Sequence, residues 1–408
     1  MTALNRSIGV ASIVLQECPK VYLLETHRSK TPEATLRVIE RTGNQLDLIS
    51  PRDVTDLDRI GLPVFTCDRI RPDGSRTTHT GKGVSKTQAQ VSLTMEAIER
   101  YCSEFRDEYR DRLVFGSYRE LRQHLNLLDP ENLILPAFSN YRPDHARYWV
   151  WGFDLSAHEE ILIPAGAVYH PFALDEHSLI RTHTNGLATG NTIEEAIFHG
   201  MTEVIERDAW SIARFRQDMN AALSVEDRAE HRFLLEIIEK YERAGIEVTA
   251  RDLTTDLGVP VITAFAEDLH HPGLPPCDGF GAHLDPRVAM ARALLELAAT
   301  RAWFLQKHDR ERLQRPSSPR HGEPDGEDPR FHASELKPLG EMPSRYSHDL
   351  REDIRTLLET LERCRIKHTL VVPLTRPELG IPTVRVIIPG LEVYCFDRER
   401  KGDRLYQP

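Results

Sequence analysis

The chain reads as a mixed helix-and-sheet protein, and three observations carry that reading. Runs dense in β-branched and aromatic residues, "ARYWVWGFDL" and "EEILIPAGAVY", suit strands. Apolar residues recur at helical spacing over two long stretches, about Lys86 to Phe105 and about Ile193 to Gln217. Segments rich in Gly, Pro, Asn and Thr separate these runs and continue neither pattern. At 408 residues the chain is long enough to bury a large core, as one domain or two.

Taken in order, the first 75 or so residues hold a strand ("KVYLLET"), a helix near "TPEATLRVIE" and a run to "GLPVFTCDRI". Pro32 stands in that helix's first turn, where a missing N–H costs nothing. "RPDGSRTTHTGKGVSK" reads as turns. In the helix that follows, Val91, Met95, Ile98, Cys102 and Phe105 form the expected buried stripe, with Ser92, Glu96, Glu99 and Ser103 on the neighbouring face. "RTHTNGLATGNTIEEA" reads as a loop feeding the second long helix. Its stripe is Ile197, Met201, Val204, Ile205 and Ile212, flanked by His199, Glu203, Glu206 and Trp210.

A helix at "FLLEIIEKYERAG" closes at Gly245, and two strands flank the Gly258–Pro260 turn. The third long helix, "PRVAMARALLELAATRAWFL", has small residues at 289, 291, 293, 298 and 299, so something packs very close to it. Arg292 and Glu296 share one of its faces. Arg315 to Pro329 is proline-rich, glycine-rich and charged, and reads as a linker or surface loop. The remainder carries a helix ("DIRTLLETLERCR"), a strand ("HTLVVPL") and a last strand ("TVRVIIPGLEVYCF").

Composition excludes some functions. A net charge of −11 disfavours nonspecific nucleic-acid binding, which rests on phosphate neutralisation. The six cysteines form no C-x-x-C, against zinc ribbons and thioredoxin-like redox sites, and read as small buried or half-buried thiols in a reducing compartment. No window reaches the roughly 20 apolar residues of a membrane helix. "SIGVASIVL" is short and lacks a cleavage site, so a cytoplasmic protein is expected.

The chemistry is carried by a pentapeptide written twice. Glu-x-Ile-Glu-Arg occurs at Glu96–Arg100 and at Glu203–Arg207, the only internal repeat evident in the sequence. Each copy puts two carboxylates on one helix face, beside an apolar stripe, and like charges there repel unless a cation separates them. Such a pattern is common on solvated faces. Here the edges look buried, and a third helix adds Arg292 and Glu296. Magnesium takes oxygen ligands, commonly together with substrate phosphates. A di-iron bundle wants Glu-x-x-His twice on helices, and the only such spacing is Glu267–His270 at a strand end. "GKGVSKT" lacks the Gly-Lys-Ser/Thr ending of a P-loop, and no G-x-G-x-x-G opens a helix after a strand. His79 and His183 read as surface histidines in loops, with acid–base work as the alternative. His199 reads as packed and Trp303 as core. Lys82, between two glycines, suits an anion or simply a tight turn.

Several pieces in order resemble the YcaO family, ATP-dependent enzymes that modify peptide backbone amides. They are "GKGVSKTQAQVSLTMEAIER", "NGLATGNTIEEAIFHGMTEVIERDA", "ARALLELAATR" and "VIIPGLE". The resemblance implies an α+β fold, β-sheets flanked by helices with a non-P-loop ATP site between them, usually in a homodimer. It implies that residues 76–310 are the ATP-binding core, behind an N-terminal region (1–75), with 311–345 a charged Pro/Gly-rich loop and 346–408 completing the domain. It implies Mg2+ held by Glu96, Glu99, Glu203, Glu206 and Glu296. It implies ATP contacts from Ser92, Asn191, Glu195, Arg207 and Arg292, with Lys30 matching an N-terminal lysine. Ala299 stands where many members carry glutamine. Azoline-forming members end in a proline-rich tail, whereas this chain ends "GDRLYQP".

"HRSKTPEATLRVIE…VTDLDRIGLPVF…IRP" looks like the subgroup called methanogenesis marker protein 1. That subgroup is associated with thioamidation of a glycine in the methyl-coenzyme M reductase alpha subunit, often beside a TfuA-like partner. Three readings follow: peptide thioamidation with a sulfur donor; ring closure or amidine formation on a ribosomal peptide; and a non-catalytic scaffold binding ATP or peptide.

Overall fold

The computed structural model describes residues 12–43, 46, 48–71, 73–268, 270, 274–307 and 335–407. The linker expected at Arg315–Pro329 lies outside them, as does most of "SIGVASIVL". Of the loop expected over 311–345, the described end is ordered structure: the strand Leu336–Pro338 and a 3-10 turn, Leu339–Glu341.

By its contacts the chain divides into two units, each discontinuous in sequence. One comprises Met1–Pro19, Ile98–Arg216 and Asp349–Pro408; the other comprises Lys20–Ala97 and Gln217–His348. Both mix helix and sheet, as expected. In the first unit a six-stranded sheet runs Leu113–Ser117, Ala146–Asp154, Leu370–Pro373, Thr383–Ile387, Leu187–Thr189, and Glu159–Pro164 also pairs with Ala146–Asp154. The Ile193–Arg216 helix lies on this sheet at Thr383–Ile387 and packs against the Leu350–Arg363 helix. All five residues of its expected stripe are buried, but so are Glu194, Glu195, Glu206, Asp208 and Ser211, because the helix is covered on more than one side.

In the second unit a five-stranded sheet runs Cys277–Ala282, Val261–Glu267, Glu247–Asp252, Ala222–Ser224, Leu336–Pro338, and a three-stranded sheet joins Leu48–Asp53, Val64–Ile70 and Arg76–Lys82. The Arg232–Arg243 helix buries Leu234, Ile237 and Tyr241, each worth about 2 kcal/mol of apolar burial. What packs closely on the Pro286–Lys307 helix is the strand Cys277–Ala282. A Cβ on Gly281 would lie 2.2 Å from the Ala289 carbonyl oxygen, and one on Gly279 would lie 2.3 Å from that of Ala293. A Cβ on Gly81 would lie 2.1 Å from the Ala89 carbonyl oxygen of the Lys86–Ser103 helix.

That contact corrects the stripe expected on the Lys86–Ser103 helix. Ile98 and Cys102 are buried as expected, but the other buried apolar residues are Ala89, Leu93 and Ala97, while Val91, Met95 and Phe105 are only half-buried. Alanine carries little weight in a hydrophobic pattern, yet it is what a strand backbone needs opposite it. Other strands differ for related reasons. "KVYLLET" yields only Tyr22–Leu23, paired with His27–Arg28, and Val21 and Leu24 stay exposed. Arg76–Lys82, read as turns, is a strand because Val64–Ile70 supplies its partners throughout. Leu187–Thr189, read as loop, pairs with Thr383–Ile387. The last strand stops at Ile387, where Pro389 and a positive-φ Gly390 end the pairing. Among the described residues no helix is long and apolar enough to cross a membrane.

Gly281→Ala is expected to lower stability by at least about 2 kcal/mol, because backbone cannot yield to the added methyl. Gly166→Ala, whose Cβ would meet only Phe172 at 3.7 Å and Asp175 at 3.8 Å, should stay within about 0.5 kcal/mol of the parent. Urea midpoints of the two variants check this.

Candidate functional site

Three of the glutamates singled out in the sequence, Glu96, Glu203 and Glu296, occupy one position in a structural unit that occurs three times. In each case a strand is followed by a three-residue link and a long helix: Arg76–Lys82 with Lys86–Ser103, Leu187–Thr189 with Ile193–Arg216, and Cys277–Ala282 with Pro286–Lys307. The residue before each helix caps it. Ser85 Oγ accepts from Gln88 N at 3.2 Å, Thr192 Oγ1 from Glu195 N at 3.2 Å, and Asp285 Oδ1 from Arg287 N at 3.0 Å. Counted from these caps, alanine stands four residues on (Ala89, Ala196, Ala289) and glutamate eleven on (Glu96, Glu203, Glu296). Eleven residues is about three helical turns, so each glutamate sits at the same height on its helix. The repeated pentapeptide is therefore two members of a threefold repeat. The third escaped the sequence reading because Ala299 replaces its second glutamate. Ser92, His199 and Arg292 are likewise equivalent, one turn earlier.

In the first unit the acidic residues are individually held. Asn191 Nδ2 donates to both Glu195 oxygens at 3.1 and 3.3 Å, and Glu195 is 2% exposed. Glu206, equally buried, lies 3.6 Å from the Arg207 guanidinium, which in turn sits 5.2 Å over the Trp210 ring. Glu99 is 3.2 Å from Arg100. Arg385, on the strand Thr383–Ile387, is 1% exposed and donates to the His183 carbonyl at 2.9 Å, with its other terminal nitrogen 3.1 Å from His183 Nδ1. Burial pulls the Arg385 guanidinium below its ordinary pKa, while the Glu203 and Glu99 carboxylates draw it back up against Arg100. Two expected metal glutamates from different helices thus act on one buried cation.

Two residues beyond Glu206, the fully buried Asp208 accepts Arg404 Nε at 3.0 Å and Nη2 at 2.9 Å and the Glu392 N–H at 2.8 Å. Arg216 donates to the Arg404 and Leu405 carbonyls at 3.1 and 3.3 Å. These contacts fasten the end of the described chain to the helix that carries Glu195, Glu203 and Glu206. The sequence offers no spacing that would have paired Asp208 with Arg404.

In the second unit Lys82 Nζ meets Glu296 at 2.9 Å, so it is an ion-pair lysine. His79 Nδ1 lies 3.7 Å from Glu96, and its Nε2 lies 3.1 Å from Thr77 Oγ1. The Glu96 and Glu296 side chains keep 33% and 25% exposure, enough to reach a ligand. Lys30 and Ser92 are half-buried. A basic neighbourhood that includes Arg292 surrounds His283. Burial first, then His27, Lys20, Arg292 and Arg28, hold His283 well below the ordinary imidazole range. Lys20 Nζ donates to the Ser347 carbonyl at 2.9 Å and lies 3.1 Å from His27 Nδ1. Lys20 and Arg28 were not among the sequence candidates, because no helical or strand period links them to Arg292.

Three expectations are corrected. His79 is buried by strand pairing and His183 is half-buried against Arg385, so neither is a surface histidine. Trp303 is not core: it is 37% exposed, with Lys307 Nζ 4.1 Å over its ring. None of the six cysteines forms a disulfide; five are buried and Cys364 is half-buried, as read. Among the described residues no three of His, Cys, Asp or Glu come together closely enough to hold a metal ion by themselves.

The chain is similar to known proteins along most of its length. A family model described as YcaO cyclodehydratase, ATP- and Mg2+-binding, matches residues 80–392. A protein from Methanothermobacter thermautotrophicus is 37% identical over 394 residues, covering 92% of this chain and 97% of its own. A Rhizobium leguminosarum bv. trifolii protein described as lying in the tfuA 3′ region is 26% identical over 385 residues, covering 90% and 89%. The solved structure of YcaO from Methanopyrus kandleri bound with AMPPCP and Mg2+ superposes with a TM-score of 0.76 at 29% identity, covering 95% of this chain and 98% of that one.

Asp208→Ala should destabilise the protein by about 3–5 kcal/mol, because it removes the carboxylate that accepts two nitrogens of the buried Arg404 guanidinium. Adding Arg404→Met should recover part of that loss. Chemical denaturation of the single and double variants measures both.

Proposed function

The chain belongs to the YcaO family, and on that premise we propose that it converts a backbone amide of a peptide to a thioamide at the expense of ATP. The observation that carries the ATP chemistry is the threefold placement of Glu96, Glu203 and Glu296 on capped helices. Two further observations favour thioamidation within the family: the N-terminal run that looks like the glycine-thioamidating subgroup, and the relative described by its place beside tfuA.

The residues suit magnesium–ATP. Glu96, Glu99, Glu203, Glu206 and Glu296 offer carboxylate oxygen alone, the donor set of a hard cation that completes its coordination with phosphate and water. Bound there, magnesium neutralises the triphosphate and orients it. Lys30, Ser92, Asn191, Glu195, Arg207 and Arg292 are the nucleotide contacts. Lys20, Arg28 and Arg292 all act on His283, a concentration of positive charge against the overall negative balance.

An amide oxygen is a poor leaving group. In the proposed reaction sulfide adds to the amide carbon, and the resulting oxyanion takes the γ-phosphoryl group as the bond to ADP breaks. Phosphate then departs with the former amide oxygen, and loss of a proton leaves C=S. The balance is amide plus hydrogen sulfide plus ATP giving thioamide, ADP and phosphate. Phosphoryl transfer asks for positioning and charge neutralisation, which Arg207 and Arg292 supply as negative charge moves toward the leaving groups. A cysteine relay finds no support. Burial raises the thiols of Cys18, Cys102 and Cys395, and pushes those of Cys67 and Cys277 up to about 12, so none of these five is a ready thiolate. The proposed sulfur donor is external. A TfuA-like protein is its proposed partner, and a second copy of the chain the proposed assembly.

The test is to incubate the protein with ATP, Mg2+, sulfide and a glycine-containing peptide, starting with that of the methyl-coenzyme M reductase alpha subunit, with and without a TfuA-like protein. Exchange of oxygen for sulfur adds about 16 mass units, whereas the cyclodehydration named in the family description removes about 18, since phosphate carries the oxygen away in both. A loss in place of a gain assigns ring closure. No ADP with any peptide tried leaves a binding scaffold.

Glu203→Gln and Glu296→Gln should each cut peptide-dependent ATP turnover by at least about 100-fold, the scale of losing one fixed charge-stabilising group, with the far-ultraviolet circular dichroism unchanged. Full turnover in both variants would remove these glutamates from the site.

A further inference from the structure

At the start of the strand Ala146–Asp154, Arg147 is 1% exposed, yet Nε, Nη1 and Nη2 all lack a hydrogen-bond partner from the protein. Tyr141 Oη and His145 Nδ1 are in the same position. The guanidinium carbon lies 5.1 Å from the Tyr141 ring centroid, and His145 stacks on His177 at 4.6 Å. Asn140, Tyr141, Arg147, Glu176, His177, Ser178 and Leu179 line a cavity of about 190 Å3. Asn140, Glu176, His177 and Ser178 are exposed, whereas Arg147 and Leu179 are buried, so the cavity opens to solvent with Arg147 at its floor.

A buried guanidinium with no acceptor is costly, and a native fold seldom keeps three such donors at one point without something to receive them. The nearby carboxylate does not serve. Asp175 acts on Arg147 only through space, and its Oδ1 is taken by the Tyr148 N–H at 2.8 Å.

We propose that this cavity binds a carboxylate, with Arg147 as the forked donor and Tyr141 Oη as a second one. The planar guanidinium fits a carboxylate through two parallel hydrogen bonds. Asp175 beside it and Glu176 on the rim repel a dianion, which argues for a singly charged group over phosphate. The site is remote from Arg385. Arg385 pairs with Val372, whose neighbour Val371 pairs with Phe153, six residues along the strand from Arg147. Six residues of strand are about 20 Å. The proposal stands independently of the thioamidation reading. Its occupant is either an acidic side chain of a peptide or a free small acid, and the test separates them.

Calorimetric titration of the full chain uses three probes: acetate, a terminally blocked Gly-Asp-Gly peptide and its Gly-Asn-Gly counterpart. Saturable binding of the aspartyl peptide is expected, with none of the asparaginyl one. Binding should weaken about tenfold in Tyr141→Phe, which loses one hydrogen bond to a charged group, and be lost in Arg147→Gln. Acetate binding as tightly as the peptide identifies a free acid as the source; a tighter peptide identifies the peptide. If Arg147→Gln does not fold, Tyr141→Phe alone decides. The idea is overturned if neither acetate nor the aspartyl peptide binds, which would leave a hydrated structural arginine, or if the variants bind like the parent.

Discussion

A helix can lie directly on a strand's backbone only where both surfaces have lost their side chains, and the placement of the acidic residues depends on that contact. Gly81 against Ala89 and Gly281 against Ala289 bring strand and helix within a distance that any Cβ would block. The capping residues Ser85, Thr192 and Asp285 then set where each helix begins. With start and seat determined, a glutamate three turns on has little freedom in where it emerges. The same few residue types, at the same counts from the cap, therefore deliver Glu96, Glu203 and Glu296 alike.

Charge imposes the second constraint. Glu195 and Glu206 are almost wholly buried, and a buried carboxylate persists only with a partner. Asn191 and Arg207 are local neighbours of these two groups, and the contacts fix the orientation of both carboxylates. Arg385 extends the scheme from beneath: it is buried, and Glu99 and Glu203 offset the cost of its charge. Glu96 and Glu296 are the contrasting pair, partly exposed and matched with His79 and Lys82. Carboxylates paired on one helix face repel unless cations separate them, and the family's cofactor supplies magnesium.

Long helices were legible because a helix repeats its pattern locally. Lys86–Ser103, Ile193–Arg216 and Pro286–Lys307 lie within two residues of where the apolar spacing ends them. The small residues of the Pro286–Lys307 helix correctly announced a close neighbour. Short strands were illegible for the converse reason. Arg76–Lys82 is polar and Leu187–Thr189 is only three residues long between two glycines, and only their hydrogen-bonding partners make them strands. The buried stripe of the Lys86–Ser103 helix was misplaced because alanine looks indifferent until a glycine strand lies against it.

By itself the sequence determined the mixed architecture, the helices, the acidic pairs on their faces and the family likeness, since each rests on residues close together in the chain. Tertiary structure alone decided which distant groups answer them. Arg385 lies about 180 residues from Glu203, yet the two interact because a strand and a helix of one unit are packed together. Asp208 with Arg404 and the basic group around His283 belong to the same class. Their partners are chosen by burial and electrostatic cost in three dimensions, and no periodicity along the chain encodes that choice.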